Sequence, residues 1–213
     1  NYSMAQKEIT DTSSANDIHT VLVPTKSKKK ILMITENGNC IKTDVQKIPE
    51  AKWRDKGTSI KNIESNADVN DKIVSILEIP EKTDLQVLFM TKFGMVKLSN
   101  IDDLVISKGF YQVVKLKDGD KVLSAEIKTK DGSVIMLSKS GMVLNMSKTD
   151  IPTQGRISTG VIGMSLEAKD EVVCAGQVSA EDSLVVMTNK GFAKRVSCSE
   201  FDVLPRNRKG LRT

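Results

Sequence analysis

Four times along this 213-residue chain, four apolar residues are followed by a hydroxyl residue, two variable positions and a glycine. The copies are Ile31-Leu32-Met33-Ile34-Thr35, Val87-Leu88-Phe89-Met90-Thr91, Val134-Ile135-Met136-Leu137-Ser138 and Leu184-Val185-Val186-Met187-Thr188, and their glycines are Gly38, Gly94, Gly141 and Gly191. Gly94 lies 56 residues after Gly38, Gly141 47 after Gly94, and Gly191 50 after Gly141. Such a period marks a repeat architecture, in which each unit needs its neighbours to bury its apolar faces. Four-residue apolar runs bounded by turns are too short for helices and suit strands buried on both sides. A second strand-like segment follows each glycine, giving hairpins near 31–42, 87–98, 134–146 and 184–196. The glycines fit a primed two-residue turn, whose positive φ a Cβ penalises, and Asn37-Gly38 is the strongest such signal.

Two further parts recur. A second glycine has a basic residue nearby: Lys56 before Gly57, Lys108 before Gly109, Arg156 four residues before Gly160, and Arg206, Arg208 and Lys209 before Gly210. An acidic turn leads into a closing strand at Asp71-Lys72-Ile73-Val74-Ser75, Asp120-Lys121-Val122-Leu123-Ser124 and Asp170-Glu171-Val172-Val173-Cys174. Roughly four short antiparallel strands per unit amount to one propeller blade. The predicted fold is all-β, a propeller-like wheel of about four blades over residues 17–213. The fourth unit stops before its closing strand, whereas Asp17 to Val23 reads as a closing strand with no hairpin before it. Either the chain is a piece of a longer array or its first strand closes its last blade. Residues 1–16 are polar and mixed, and read as a flexible lead-in.

Composition narrows the function classes. The longest apolar runs have four residues, against the roughly 20 that span a bilayer, and the first residues lack the pattern of a secretory signal. A soluble, cytosolic protein is expected. Cys40, Cys174 and Cys198 are too few and too scattered for a disulfide framework or a zinc knuckle and read as small core residues. The single histidine, His19, beside an apparent strand at Val21 to Val23, reads as a surface residue. Met33, Met90, Met136 and Met187 fall in strand runs and read as core. The acidic turns at Asp71, Asp120 and Asp170 lack a calcium-loop pattern and read as turn formers. No phosphate-binding glycine loop occurs. The chain is therefore expected to have no catalytic residue, no metal site and no cofactor.

The segment Val186-Met187-Thr188-Asn189-Lys190-Gly191-Phe192-Ala193-Lys194-Arg195, followed by Phe201 and Arg206-Asn207-Arg208-Lys209-Gly210-Leu211, resembles one hairpin and basic loop of the C-terminal repeats of bacterial DNA gyrase and topoisomerase IV A subunits. Gly155-Arg156-Ile157-Ser158-Thr159-Gly160-Val161 resembles them too, and the likeness covers about residues 17 to 213. It implies a β-pinwheel whose neighbouring blades exchange a strand and whose basic perimeter bends double-stranded DNA. It also implies two protein partners in the bacterial cytoplasm at the nucleoid: the ATPase B subunit of an A2B2 enzyme, together with the rest of the A subunit. The strand-cutting tyrosine and magnesium site of that enzyme belong to other domains, and Tyr2 and Tyr111 lack the surroundings to replace them. The gyrase box Gln-Arg-Arg-Gly-Gly-Lys-Gly would fall on Leu204 to Gly210, which here reads Leu-Pro-Arg-Asn-Arg-Lys-Gly. That departure leans toward topoisomerase IV, or toward a gyrase whose true box lies elsewhere.

The charge pattern agrees in part. Of a net charge of +5, Arg206, Arg208, Lys209 and Arg212 supply four. Cations on a loop can meet successive phosphates and gain binding from released counterions without reading bases. Arg206, Arg208, Lys209 and Arg212 are thus the main candidate DNA contacts, with Lys56, Lys108 and Arg156 from matching loops. Lys26, Lys28, Lys29 and Lys30 form another run that fits a solvated hairpin tip equally well. Trp53 fits packing at a blade edge, and Phe110 and Tyr111 depart from the matching loops without an evident reason. The alternative to DNA binding is a propeller that serves as a protein-interaction platform. A propeller hydrolase would need convergent carboxylates or histidines, which the sequence does not offer.

Overall fold

The computed structural model describes residues 21–52, 54–81 and 84–213. In chain order its strands begin β1 (Lys30–Thr35), β2 (Asn39–Asp44), β3 (Ile73–Glu78), β4 (Gln86–Thr91), β5 (Met95–Asn100), β6 (Phe110–Gln112) and β7 (Val122–Ile127). They continue with β8 (Ser133–Ser138), β9 (Met142–Met146), β10 (Val161–Ile162), β11 (Val172–Val178), β12 (Ser183–Met187), β13 (Ala193–Ser197), β14 (Val203–Leu204) and β15 (Leu211–Arg212). Among the described residues, two four-residue helices, α1 (Ile60–Ile63) and α2 (Ile101–Leu104), and 3-10 turns at Val45–Lys47, Lys148–Asp150 and Cys198–Glu200 lie between the strands.

Three sheets are complete blades, ordered β3-β1-β2-β6, β10-β5-β4-β7 and β11-β8-β9-β14, with β15 also paired to β9. Three strands of each blade come from one unit, and the remaining pairing comes from the basic-loop segment of the next. Asn39 thus faces Gln112, Val96 faces Val161 and Val143 faces Leu211. The fourth unit contributes a two-stranded hairpin, β12-β13, among the described residues.

This exchange explains the apolar runs. Successive strand residues point to opposite faces, so β4 offers Val87 and Phe89 to the cluster shared with Leu32 and Ile34 of the first blade. Its Leu88 and Met90 join Met136 and Leu144 of the third. A strand clamped between two neighbours has no solvent face, and each fully buried side chain of this size contributes about 1.5–3 kcal/mol.

The hairpin glycines are equivalent in all four units. Gly38, Gly94, Gly141 and Gly191 have φ of 79, 76, 86 and 83°, and each N–H donates at 3.0 Å to the carbonyl of the hydroxyl residue three positions earlier. The loops are not the primed two-residue turns expected. Among the described non-glycine residues, only Lys169 and Asn207 have positive φ, so the two residues before each glycine form an ordinary turn and the glycine adds a bulge, making a three-residue loop. The hydroxyl is part of the same device. Thr35, Thr91, Ser138 and Thr188 accept through their side-chain oxygens from Asn39, Met95, Met142 and Phe192 N–H.

The acidic turns clamp these loops from the side. Asp71 accepts from the N–H of Asn37 and the side-chain amide of Asn39. Asp120 accepts from the Thr91 hydroxyl at 2.7 Å and the N–H of Phe93 and Lys121 at 2.8 Å. Asp170 does the same for Ser140 and Glu171, bonds that hold its carboxyl below its ordinary range against the opposing effect of partial burial.

Other expectations are corrected. Val21 to Val23 is not in a strand, and the rest of the expected closing strand, with His19 and Tyr2, lies outside the described residues, as do residues 1–16 and Trp53. The Lys26 to Lys30 run therefore is not a hairpin tip; Lys29 pairs with Glu78 and Glu81, and Lys30 with Asp44. Cys40 and Cys198 are buried, but Cys174 is exposed; its counterpart Ser75 is buried on β3, against which β7 of the next blade packs. Met33, Met90 and Met136 are core, whereas Met187 is 71% exposed on the unpartnered hairpin.

Candidate nucleic-acid interface

The basic loops of the second, third and fourth units sit where the unit hands a strand to the blade before it, whereas Lys56 lies in a segment that pairs with no strand among the described residues. Arg156 and Arg206 are fastened at two of these junctions. Arg156 donates through Nη1 to the Gln112 carbonyl at 2.7 Å and lies 5.6 Å from the Tyr111 ring centre. Arg206 donates through Nη1 to the Ile162 carbonyl at 3.2 Å and through Nε to the Asp150 carbonyl. Gln112 and Ile162 are equivalent ends of donated strands, facing Asn39 and Met95, the residues just after the hairpin glycines. The same arginine thus brackets consecutive blades twice. Both side chains are half-buried, whereas Lys56, Lys108, Arg208, Lys209 and Arg212 are exposed. Among these, Lys209 pairs with Glu167 at 2.6 Å.

Register corrects one sequence equivalence. Phe110 faces Ile41, three residues after Gly38, so the place held by Gly160 and Gly210 is taken by Phe110 and not by Gly109. Gly160 and Gly210 have φ of 86 and 81°, while Gly109 is not in the left-handed region. By that register Lys108 matches Ser158 and Arg208, and Ile106 matches the two bracketing arginines. Tyr111 is accounted for as well: it is buried, donates its hydroxyl to the Leu104 carbonyl, and floors Arg156. In the fourth loop Asn207 takes a φ of 63°. Asparagine tolerates this better than other side chains, so the loop keeps a left-handed turn where the gyrase box would have glycine.

Sequence reasoning missed Lys97. It occupies the slot three residues after Gly94 where the first and third units have Ile41 and Leu144, and it is 1% exposed. Its ammonium donates to the Val113 and Arg156 carbonyls at 2.8 and 2.6 Å, and to the Gly155 carbonyl and Ser158 hydroxyl at 3.3 Å, 5.2 Å from the Phe89 ring centre. Burial pushes it down to about 8, with the Arg156 guanidinium acting in the same direction. The signal was faint, because the same repeat position holds Lys194 in the fourth unit, so that a lysine there did not stand out. Its effect is to pin the backbone of the Arg156 loop to the second blade.

Charge pairs tie blades along the same edge. Lys121 meets Glu36 at 2.6 Å, and Lys92 meets Glu171 at 2.8 Å, the same pair of repeat positions with the signs exchanged. The backbone repeats too, with Val122 N–H donating to Glu36 and Val172 N–H to Lys92, both at 2.8 Å. No group of three or more His, Cys, Asp or Glu among the described residues could hold a metal ion, and no described helix is long and apolar enough to cross a membrane.

Blades that share strands with their neighbours, each carrying a basic loop at the point of exchange, define a β-pinwheel repeat. The chain belongs to the family of the DNA gyrase C-terminal domain, a beta-propeller, whose model matches residues 29–80, 86–127, 132–178 and 182–213, one match per unit. It is 28% identical over 187 residues to the DNA gyrase A protein of Mycobacterium leprae, covering 86% of this chain and 15% of that protein. It is equally 28% identical over 184 residues to the DNA topoisomerase 4 A protein of Bacillus subtilis, covering 85% and 23%. The chain therefore spans less than a quarter of those relatives. Among solved structures, a DNA topoisomerase IV C-terminal domain matches in fold with a TM-score of 0.83 at 24% identity, over 91% of this chain and 61% of that one. A DNA gyrase A C-terminal domain matches with 0.69 at 27% identity, over 88% and 60%.

Proposed function

We propose that this chain is a DNA-binding and DNA-bending domain of a type IIA topoisomerase A subunit, without a catalytic site or cofactor of its own. The observation that carries the reading is the recurrence of an exposed basic loop at each blade junction in a chain of this family. Lys56, Lys108, Arg208, Lys209 and Arg212 supply the phosphate contacts. Arg156 and Arg206 spend part of their guanidinium on the neighbouring blade, fix the loop, and offer their remaining N–H groups. Bending duplex DNA carries an elastic cost that contacts spread over several blades can offset. We take the domain to extend over residues 17–213. Its partners in the bacterial cytoplasm are double-stranded DNA, the ATPase B subunit of an A2B2 enzyme, and the rest of the A subunit.

Relatives of both kinds share the same identity with this chain, so identity does not choose between them. A topoisomerase IV-like protein is favoured by the degenerate box at Leu204 to Gly210. Titration of duplex DNA by gel shift at several salt concentrations tests the DNA reading. Binding that falls steeply with salt and is alike for unrelated sequences is expected. No binding below about 50 mM salt would instead favour a protein-interaction platform.

A further inference from the structure

A cleft lies at the hairpin tip of the third blade, at the position where the second blade places a phenylalanine ring. In the second blade Phe93, beside the hairpin glycine, packs its ring against Gly119, 3.6 Å from where a Cβ would stand. The equivalent residues of the third blade are Ser140 and Lys169, each one residue before its repeat's Gly141 or Asp170. The ring is gone, and a cleft of about 450 Å³ remains, floored by Met142 and Met164.

Its rim has changed charge as well. Lys169, Lys209 and Arg212 border it, where register gives the second blade Gly119, Thr159 and Ile162. Lys139, like Lys92 in the second blade, adds a further cation, and Glu167, where the second blade has Lys117, and Asp170 oppose them. Lys139 and Lys209 have carboxylate partners, whereas no ion pair of Lys169 or Arg212 occurs among the described residues. Lys169 is held at a φ of 68°, in the slot where the second blade uses Gly119 at 76°. A residue kept in a conformation suited to glycine at the border of an open cleft is the kind of local strain that accompanies function.

We infer that this cleft seats a phosphate group, with Lys169 and Arg212 as its cations. A backbone phosphate of bound DNA and a free phosphate compound share this chemistry. The first source rests on the DNA reading above; the cleft itself does not.

The test uses the methionine methyl signals of the intact chain, since Met142 and Met164 line the cleft and Met95 holds the place of Met142 in the plugged second blade. Pyrophosphate at millimolar concentration should shift Met142 and Met164 and leave Met95 unmoved. The pair Ser140→Phe and Lys169→Gly, which restores the Phe93–Gly119 arrangement, should abolish the shift. If duplex DNA displaces pyrophosphate, and the pair lowers the salt slope of DNA binding by about 0.9, the phosphate is the polymer's. If pyrophosphate binds and duplex neither competes nor responds to the pair, the ligand is a free phosphate compound, and the methyl readout stands even if the chain binds no DNA. The absence of methyl shifts overturns the assignment, even where the salt slope falls, because Lys169 would then meet DNA outside the cleft.

Discussion

The second blade and the fourth hairpin are built from the same sequence motif and differ in nearly everything but the turn. Gly94 and Gly191 have φ of 76 and 83° and the same N–H bond to a threonine carbonyl. Yet Val87 to Met90 are at most 1% exposed, while Val185 and Met187 are each 71% exposed. The turn is local, written in a hydroxyl, two variable residues and a glycine. Burial is supplied by neighbours, through the donated strand on one edge, the closing strand on the other, and a blade against each face.

The largest expected effect breaks this comparison at the glycine. A Cβ on Gly94 would stand 2.5 Å from the Met164 carbonyl oxygen, whereas nothing lies within 4 Å of one on Gly191. Gly94→Ala combines the left-handed penalty of about 1–2 kcal/mol with a backbone clash, and a total loss of about 3 kcal/mol is expected. Gly191→Ala should cost only the first part. Denaturant unfolding of the two variants measures the difference; equal losses would mean that strand donation does not constrain the glycine.

Next comes Asp120. Buried at 5% exposure, it ties the Thr91 hydroxyl and two backbone N–H groups of the second blade. Asp120→Ala should cost about 2–3 kcal/mol by leaving donors unpaired. Asp182, which lies ahead of β12 and not before a closing strand, accepts through its side chain from the Ser179 N–H alone among the described residues, so Asp182→Ala should cost about 1 kcal/mol. Thermal unfolding compares them, and a larger loss at Asp182 would contradict the argument.

Lys97 gives a pH dependence. Its folded value of about 8 lies below the ordinary 10.5, so between those limits the unfolded chain binds more protons and stability rises with pH. Relative to Lys97→Leu, wild type should gain up to about 1.4 kcal/mol per pH unit above pH 8. A difference that is flat from neutral pH to pH 10 would show that the carbonyl cage keeps the ammonium charged. The smallest effect belongs to Lys169→Gly, which relieves a left-handed side chain and should raise stability by about 1 kcal/mol. An unchanged melting temperature would remove the strain argument.

The sequence made the hairpins, the repeat and the acidic turns legible because each depends on a short local pattern recurring at a fixed offset. It misassigned the turn type, because Asn37-Gly38 fits a primed turn equally well until the hydrogen bond from Gly38 to Thr35 is seen. Gly109 misled because glycine content was matched where strand register decides, and register depends on pairing with Ile41 in another unit. The candidate DNA contacts were legible as a basic loop but not as two kinds of residue. That Arg156 and Arg206 reach carbonyls of a neighbouring blade follows from tertiary placement, as do the burial of Lys97 and the open cleft beside Lys169.

The central claim is that the basic loops together bend DNA, and energy transfer between dyes at the two ends of a short duplex tests it most directly. With saturating wild-type protein the transfer should rise, and with Lys56, Lys108 and Arg208 replaced by alanine it should rise less, whatever the duplex sequence. An end-to-end distance that stays unchanged at saturation would contradict the account, leaving a domain that binds DNA without bending it.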